Sequence, residues 1–161
     1  MIMTRIKNFF KQLLLKESSP HKLSLALCVG IYVAFSPFPG FHTVEVIVFS
    51  WLLSLNFGIV LASSIAVNNP WTMVPVYGAG HVFGQWFCGK IMGVDMCVHN
   101  PTWVVSLNST IAHYTGMSGI SLWDFIIGGN LLGIGLALLM YPIFYYTFLL
   151  LLREKSHKVA S

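Results

Sequence analysis

Charge is what this chain of 161 residues has least of: Asp, Glu, Lys and Arg together make up 9% of it, where ordinary soluble domains carry about a quarter. Glu45 is the sole charged residue between Lys22 and Lys90, and Asp124 the sole one between Asp95 and Arg153. That scarcity excludes a basic face of the kind that tracks nucleic acid. With 56% hydrophobic residues and a mean hydropathy of +0.75, the two charge-free tracts belong in lipid. Also missing are a nucleophile elbow, a phosphate loop, a dinucleotide fingerprint, an HExxH pair and any close cysteine cluster. No catalytic residue, metal or cofactor is therefore assigned, and the chain reads as no enzyme. Its cysteines, Cys28, Cys88 and Cys97, are odd in number. Cys28 serves as a small hydrophobe in an apolar run, while Cys88 and Cys97 either pair or stay free thiols.

The charge that is present sits at the ends. Arg5, Lys7, Lys11, Lys16 and Lys22 precede the first apolar tract, and Arg153, Lys155 and Lys158 follow the last. By the positive-inside rule both termini are cytoplasmic and the number of crossings is even. A basic start before an apolar run has the outline of a signal peptide, but no small-x-small site precedes Ser36 and Pro37, so the segment is read as retained. Ile6, Phe9, Phe10, Leu13 and Leu14 recur at helical spacing among those cations, which predicts an amphipathic helix on the membrane surface. The chain then divides into an interfacial helix and linker at 1–22, one membrane domain at 23–152 and a basic tail at 153–161.

Within the membrane domain, proline interrupts what should be unbroken helix. Residues 23–35 number thirteen, and at about 1.5 Å each they reach about 20 Å of a layer about 30 Å thick. The stretch SPFPGFHTVE at 36–45 follows, with Pro37 and Pro39 removing amide donors and restricting their predecessors. A second apolar run, 59–67, stops at NNPWTMVPVY, residues 68–77, where Pro70 and Pro75 repeat the interruption. Half-length helices around polar turns predict two re-entrant hairpins, the arrangement that places a transport site at mid-membrane. Asn100 and Pro101 open a helix carrying Trp103, Val104 and Leu107 on one side. Ser121 and Asp124 have capping-box spacing ahead of the longest apolar run, 125–152. Gly128, Gly129, Gly133 and Gly135 there invite close helix packing, and Pro142 a kink. The expected fold is an all-α membrane protein: an interfacial amphipathic helix, two proline-broken re-entrant hairpins and a long C-terminal transmembrane helix.

The polar residues at the breaks are the candidate site. Helices beginning after Gly40 and after Pro70 aim free amides and a positive dipole end into the turn, which suits an anion. Ser36, Gly40, His42, Thr43, Asn68, Asn69, Thr72 and Tyr77 are the candidate substrate-binding residues, with Pro37, Pro39, Pro70 and Pro75 as the structural breaks. The plainer reading of the same side chains is that they only cap broken helix ends. Glu45, a carboxylate in an apolar tract, is the candidate for proton coupling or for contact with a cationic group. His42 precedes it by one turn. A metal set of His42, Glu45 and His81 would require the two hairpins to meet; more simply, the histidines are polar donors.

Those same stretches resemble the bacterial membrane proteins grouped as domain of unknown function 2062. SPFPGFHT matches Ser-Pro-x-x-Gly-x-His-Thr, and NNPWTMVPVY matches Asn-Pro-x-Thr-x-x-Pro-x-Tyr. The resemblance spans about residues 20–152 and implies that Ser36, Pro37, Gly40, His42, Thr43, Asn69, Pro70, Thr72, Pro75 and Tyr77 form the family signature. Glu45 stands where that pattern carries an apolar residue. A bacterial inner-membrane location is implied, and fusion of some members to glycosyltransferase-like domains points to envelope lipid or glycan chemistry. The expectation is a homo-oligomeric, multi-pass, transporter- or flippase-like protein, working on membrane lipids through an anionic headgroup or lipid-linked phosphate. The alternative is a structural scaffold that anchors envelope glycan or lipid enzymes.

Overall fold

The computed structural model describes residues 19–38, 41–93, 100–115 and 121–160. The amphipathic helix expected over residues 4–16, together with Pro39, Gly40 and Cys97, lies outside the described residues. Among the described residues six α-helices follow one another: α1 (Pro20–Phe35), α2 (His42–Leu52), α3 (Phe57–Val67), α4 (Met73–Trp86), α5 (Thr102–Thr115) and α6 (Leu122–Ala160), with a π-helical turn, Phe87–Met92, extending α4.

Local chemistry sets the helix ends. Ser19 caps α1 and Pro20 occupies its first turn, where the missing amide hydrogen costs nothing. α2 closes in a Schellman turn: Leu55 N donates to Ser50 O at 2.8 Å and Ser54 N to Trp51 O at 3.3 Å, with Ser54 left-handed at φ 51°. Asn56 then caps α3, its Oδ1 accepting from Gly58 N at 3.0 Å and Ile59 N at 3.4 Å. α6 is capped from three places. Asp124 N donates to Ser121 Oγ at 3.3 Å, Leu122 N to Asn100 Oδ1 at 2.9 Å and Ser121 N to His81 Nε2 at 3.2 Å. The Ser121 half of the expected capping box is thus formed, and α6 continues through Pro142.

α6 is the spine. α1 packs along it in the opposite sense, with His21 beside Tyr141 and Tyr32 beside Asn130. α4 packs on it near its start, and α3 lies along the far side of α1. Glycine sets both α6 contacts. A Cβ on Gly128 would strike the Gly80 carbonyl and Gly84 backbone, and one on Gly133 would sit 3.2 Å from Tyr32 O. Such backbone contact adds dispersion and weak Cα–H bonding that larger residues would prevent. Gly135, by contrast, faces open space. Between α1 and α3 the same device recurs: a Cβ on Gly30 would lie 2.5 Å from Ser63 Cβ, and Ser63 Oγ donates to Leu27 O at 2.9 Å. Leu23, Ala26, Val33, Val46, Ile59 and Val60 fill the core among these helices.

The two breaks differ in what they do to the chain. α2 folds back on α1, pairing Tyr32 with Phe49 and Ser36 with Glu45, so the first break makes a hairpin. The second does not, because α3 and α4 do not pack along each other. The expected pairing of α3 with α4 in a second hairpin is therefore not found. The cause is the glycine face of α4, Gly80 and Gly84, which is drawn onto Gly128 of α6 and away from α3. Leu122–Arg153 is long and apolar enough to cross a membrane, and little of it is buried by the rest of the protein. Apolar side chains also face outward on the short helices, among them Trp51 and Val74, and in the turn before α4 at Trp71.

Candidate functional site

Asn68, the residue that ends α3, joins the two breaks. Its Nδ2 lies 3.0 Å from Ala34 O at the end of α1, 3.2 Å from His42 Nε2 at the start of α2 and 3.1 Å from Tyr77 Oη on α4. An amide nitrogen has two hydrogens, so it serves two of these three at once. The Tyr77 hydroxyl, 3.5 Å from His42 Nε2, can supply the third partner. Residues from both motifs therefore form one polar joint that ties four helices together. Tyr77 is held on its other side by Phe125 of α6, ring centroids 5.3 Å apart and nearly perpendicular.

Asn69 and Thr72 face into the second break itself. Asn69 Oδ1 accepts from Trp71 N at 3.0 Å and Thr72 N at 3.2 Å, while Thr72 Oγ1 accepts from Asn69 N at 3.0 Å. Thr72 Oγ1 also donates to Val67 O at 2.6 Å. This is a reciprocal, capping-box-like turn with threonine in place of the usual glutamate; it precedes α4, whose own N-cap residue, Thr72, is helical at φ −99° and ψ −11° and caps no amide of α4 with its side chain. The Asn-Pro-x-Thr pattern is thus a turn into the helix, and the amides of Asn69, Trp71 and Thr72 are occupied by the chain's own side chains. Pro70 and Pro75 are exposed.

The first break is built otherwise. Phe41 precedes α2 with φ −91° and ψ −4° and supplies no side-chain cap, so among the described residues the opening amides of α2 are not capped by the residue before them. Thr43 is exposed beside them, and Pro37 is buried against Gly129. Ser36, 1% exposed, donates its hydroxyl to Glu45 Oε1 at 2.6 Å. Glu45 Oε2 is buried and meets no hydrogen-bond donor. Nearby, Tyr32 Oη donates to Asn130 Oδ1 at 2.8 Å, and Asn130 Nδ2 to Ile126 O at 2.8 Å.

Glu45 and His42, although one turn apart, engage different partners. His81 is placed elsewhere, with Nε2 accepting from Ser121 N as part of the α6 cap. Among the described residues no group of three His, Cys, Asp or Glu is arranged to hold a metal. Sequence reasoning did not single out Tyr32 and Asn130. The available signal was one amide, Asn130, alone in the glycine-rich apolar span. An apolar groove of about 210 Å³ opens beside them between α1, α2 and α6, lined by Cys28, Tyr32, Phe49, Leu53, Leu138 and Tyr141. The Tyr32–Asn130 pair lies toward one end of it, and the His21–Tyr141 pair, 2.6 Å apart, toward the other.

These features define a class: an all-helical protein with a long apolar helix and a polar joint between interrupted helices. The sequence profile of the family described as "Uncharacterized protein conserved in bacteria (DUF2062)" matches residues 3–157, and the chain belongs to that family. No curated protein and no solved structure matches it.

Proposed function

We propose that the chain is a multi-pass membrane protein with both termini cytoplasmic, and that it moves a lipid between leaflets. The observation that carries this reading is the groove beside α1. It is apolar along its wall and bounded by tyrosine-centred polar pairs at two levels of the helix. A lipid whose chain lies in such a groove keeps its headgroup near polar atoms. The start of α2, which Phe41 does not cap, carries His42 and Thr43 and is where an anionic headgroup would meet a positive dipole end.

The test uses purified protein in vesicles carrying phosphatidylglycerol with a dithionite-reducible fluorophore at the end of one acyl chain. Wild type is expected to expose the inner-leaflet label to external dithionite, and Leu138→Trp, which fills the groove, to slow that exposure at least tenfold. Bleaching that stops at the outer leaflet, as in protein-free vesicles, would sink the transport reading. The scaffold alternative rests on a different observation: the polar atoms of Asn68, Asn69 and Thr72 are engaged within the chain. It expects no lipid movement and retention of partner enzymes through the exposed apolar residues of α2 and α4.

A further inference from the structure

His42, half-buried at the first position of α2, enters the joint through Nε2, which lies 3.2 Å from Asn68 Nδ2 and 3.5 Å from Tyr77 Oη. Which atom of the first pair donates is fixed by a third group. Ala34 O, at the end of α1, can only accept, and it stands 3.0 Å from the same Asn68 nitrogen. Turning the amide over would set oxygen against oxygen, so the nitrogen is a donor where it stands. Nε2 must therefore accept, from the amide or from the Tyr77 hydroxyl. A neutral imidazole that accepts at Nε2 carries its hydrogen on Nδ1.

Histidine is also the side chain that ordinarily takes up a proton just below neutral pH. A proton on Nε2 would place two donors 3.2 Å apart, and the amide is not free to reverse. It would also set a positive charge at the positive end of the α2 dipole. Glu45 offers that charge another place. It stands three residues on, where side chains of one helix meet, and its Oε2 is buried without a hydrogen-bond donor while Oε1 takes the Ser36 hydroxyl at 2.6 Å. Among the described residues no other titrating group competes for the ring. Tyr32 of α1 is engaged with Asn130, His81 of α4 with Ser121, and Tyr77 belongs to the joint. α3 presents none, and α6 meets the joint through Phe125, with Asp124 packed on Gly84 further along α4.

We infer that His42 is a proton-operated latch between the two breaks. Neutral, it closes the joint through Asn68; protonated, it leaves Asn68 for Glu45 and frees the start of α2 from α3 and α4. Little else holds α2, whose buried residues are Val46 and Ser50, and its Phe49 lines the groove beside α1. The joint is thus present at neutral pH and lost as pH falls, and its loss loosens one wall of the groove. As a control of lipid movement the latch rests on the transport reading; as a change in the joint it stands alone.

The test is hydrogen–deuterium exchange of the full-length protein in detergent, read by mass on peptides covering α2, between about pH 7.5 and about pH 5.5, with rates corrected for the direct effect of pH on exchange. Wild type is expected to exchange the first-turn amides of α2 about tenfold faster in acid, as loss of one hydrogen-bonded contact predicts, while α6 stays unchanged. His42→Gln, which keeps an acceptor toward Asn68 and takes no proton, is expected to hold the slow rate throughout. Glu45→Gln, which removes the charge that receives the imidazolium, is expected to move the change to more acid pH. Nitrogen-15 spectra of the histidines, with the His42 signal identified by its loss in His42→Gln, are expected to place its hydrogen on Nδ1 at the upper pH. Exchange independent of pH, a change that persists in His42→Gln, an unmoved midpoint in Glu45→Gln or a hydrogen on Nε2 at the upper pH would overturn the latch. In vesicles, acid is expected to speed lipid movement in wild type and not in His42→Gln. If no lipid moves while exchange still follows His42, transport fails and the latch survives. Lipid movement that ignores pH, with exchange flat, would be the reverse.

Discussion

The two breaks carry similar sequences and close their turns differently, although Phe41 before α2 and Thr72 before α4 share a helical backbone and neither caps its helix with a side chain. After α3, Asn69 and Thr72 exchange hydrogen bonds with each other's backbone, so the turn into α4 is closed by its own residues. After α1, Phe41 brings no cap to α2, and the polar atoms beside it belong to Glu45 and Ser36. A self-satisfied break is a rigid bend. An unsatisfied one retains capacity for something else, which is why both proposals above fall on the first break, while the second supplies Asn68 and Tyr77 to hold it in place. The partners of α2 and α4 follow the same division. α4 is locked on α6 by glycine against glycine, whereas α2 has only Val46 and Ser50 buried.

The widest test of that division is to unlock α4. Gly128→Ala is expected to cost about 3 kcal/mol or more, because the added methyl would overlap the Gly80 carbonyl and Gly84 backbone, and neither can rotate aside. Loss of the folded species in a detergent thermal melt would register it. Gly78→Ala, where the added carbon meets nothing within 4 Å, is the matched control and should melt no lower than wild type. Equal melts would mean that the bend alone fixes α4.

Next is the joint between the breaks. Asn68→Leu removes the donor to Ala34 O and leaves His42 and Tyr77 with only each other at 3.5 Å, and loss of about 2 kcal/mol is expected, chiefly from the carbonyl left unsatisfied. His42→Ala leaves Asn68 with Ala34 and Tyr77, so it should cost less than half as much. The ranking of the two melting points is the measurement. Reversed order would place the anchor in the histidine.

Much of this was legible in the residues and some was not. Ser19-Pro20, Asn56 and the α6 cap at Ser121 are local signals, complete within one turn, and sequence spacing sufficed for them. The glycines of α6 announced close packing, but not that Gly128 would face α4 while Gly129 and Gly133 faced α1. That choice depends on the direction in which α4 leaves the second break. For the same reason paired prolines suggested a hairpin of α3 with α4 that is not found: a break specifies that the chain bends, and long-range packing decides where it goes. His81 was ambiguous until Ser121, forty residues later in the chain, proved to need an acceptor.

The second break is tested by opening its box. Asn69→Ala leaves the amides of Trp71 and Thr72 without a side-chain acceptor, at an expected cost of about 1 kcal/mol. Thr72→Ser retains the hydroxyl and should cost less than Thr72→Val, which cannot accept from Asn69 N. Neither loss should alter the pH dependence of exchange in α2, because the box shares no hydrogen bond with His42. A shifted dependence would show that the two breaks are coupled through the bend.

The smallest effect makes the sharpest distinction. Phe41→Asn gives the first break the residue type that caps the second, at a position 63% exposed, so no core is disturbed. An N-cap works when its backbone is extended and its side chain can reach the amides two and three residues on. Phe41 is helical instead, at ψ −4°, and from there an asparagine oxygen is directed away from them. The expected gain is therefore only a few tenths of a kcal/mol, with lipid movement unchanged in the vesicle assay. A gain approaching 1 kcal/mol, accompanied by slower lipid movement, would mean that the backbone relaxes into a capped form. The difference between the breaks would then lie in one side chain. Phe41 and Thr72 share that helical backbone, so the small gain would place the difference in the Asn69–Thr72 exchange that precedes α4.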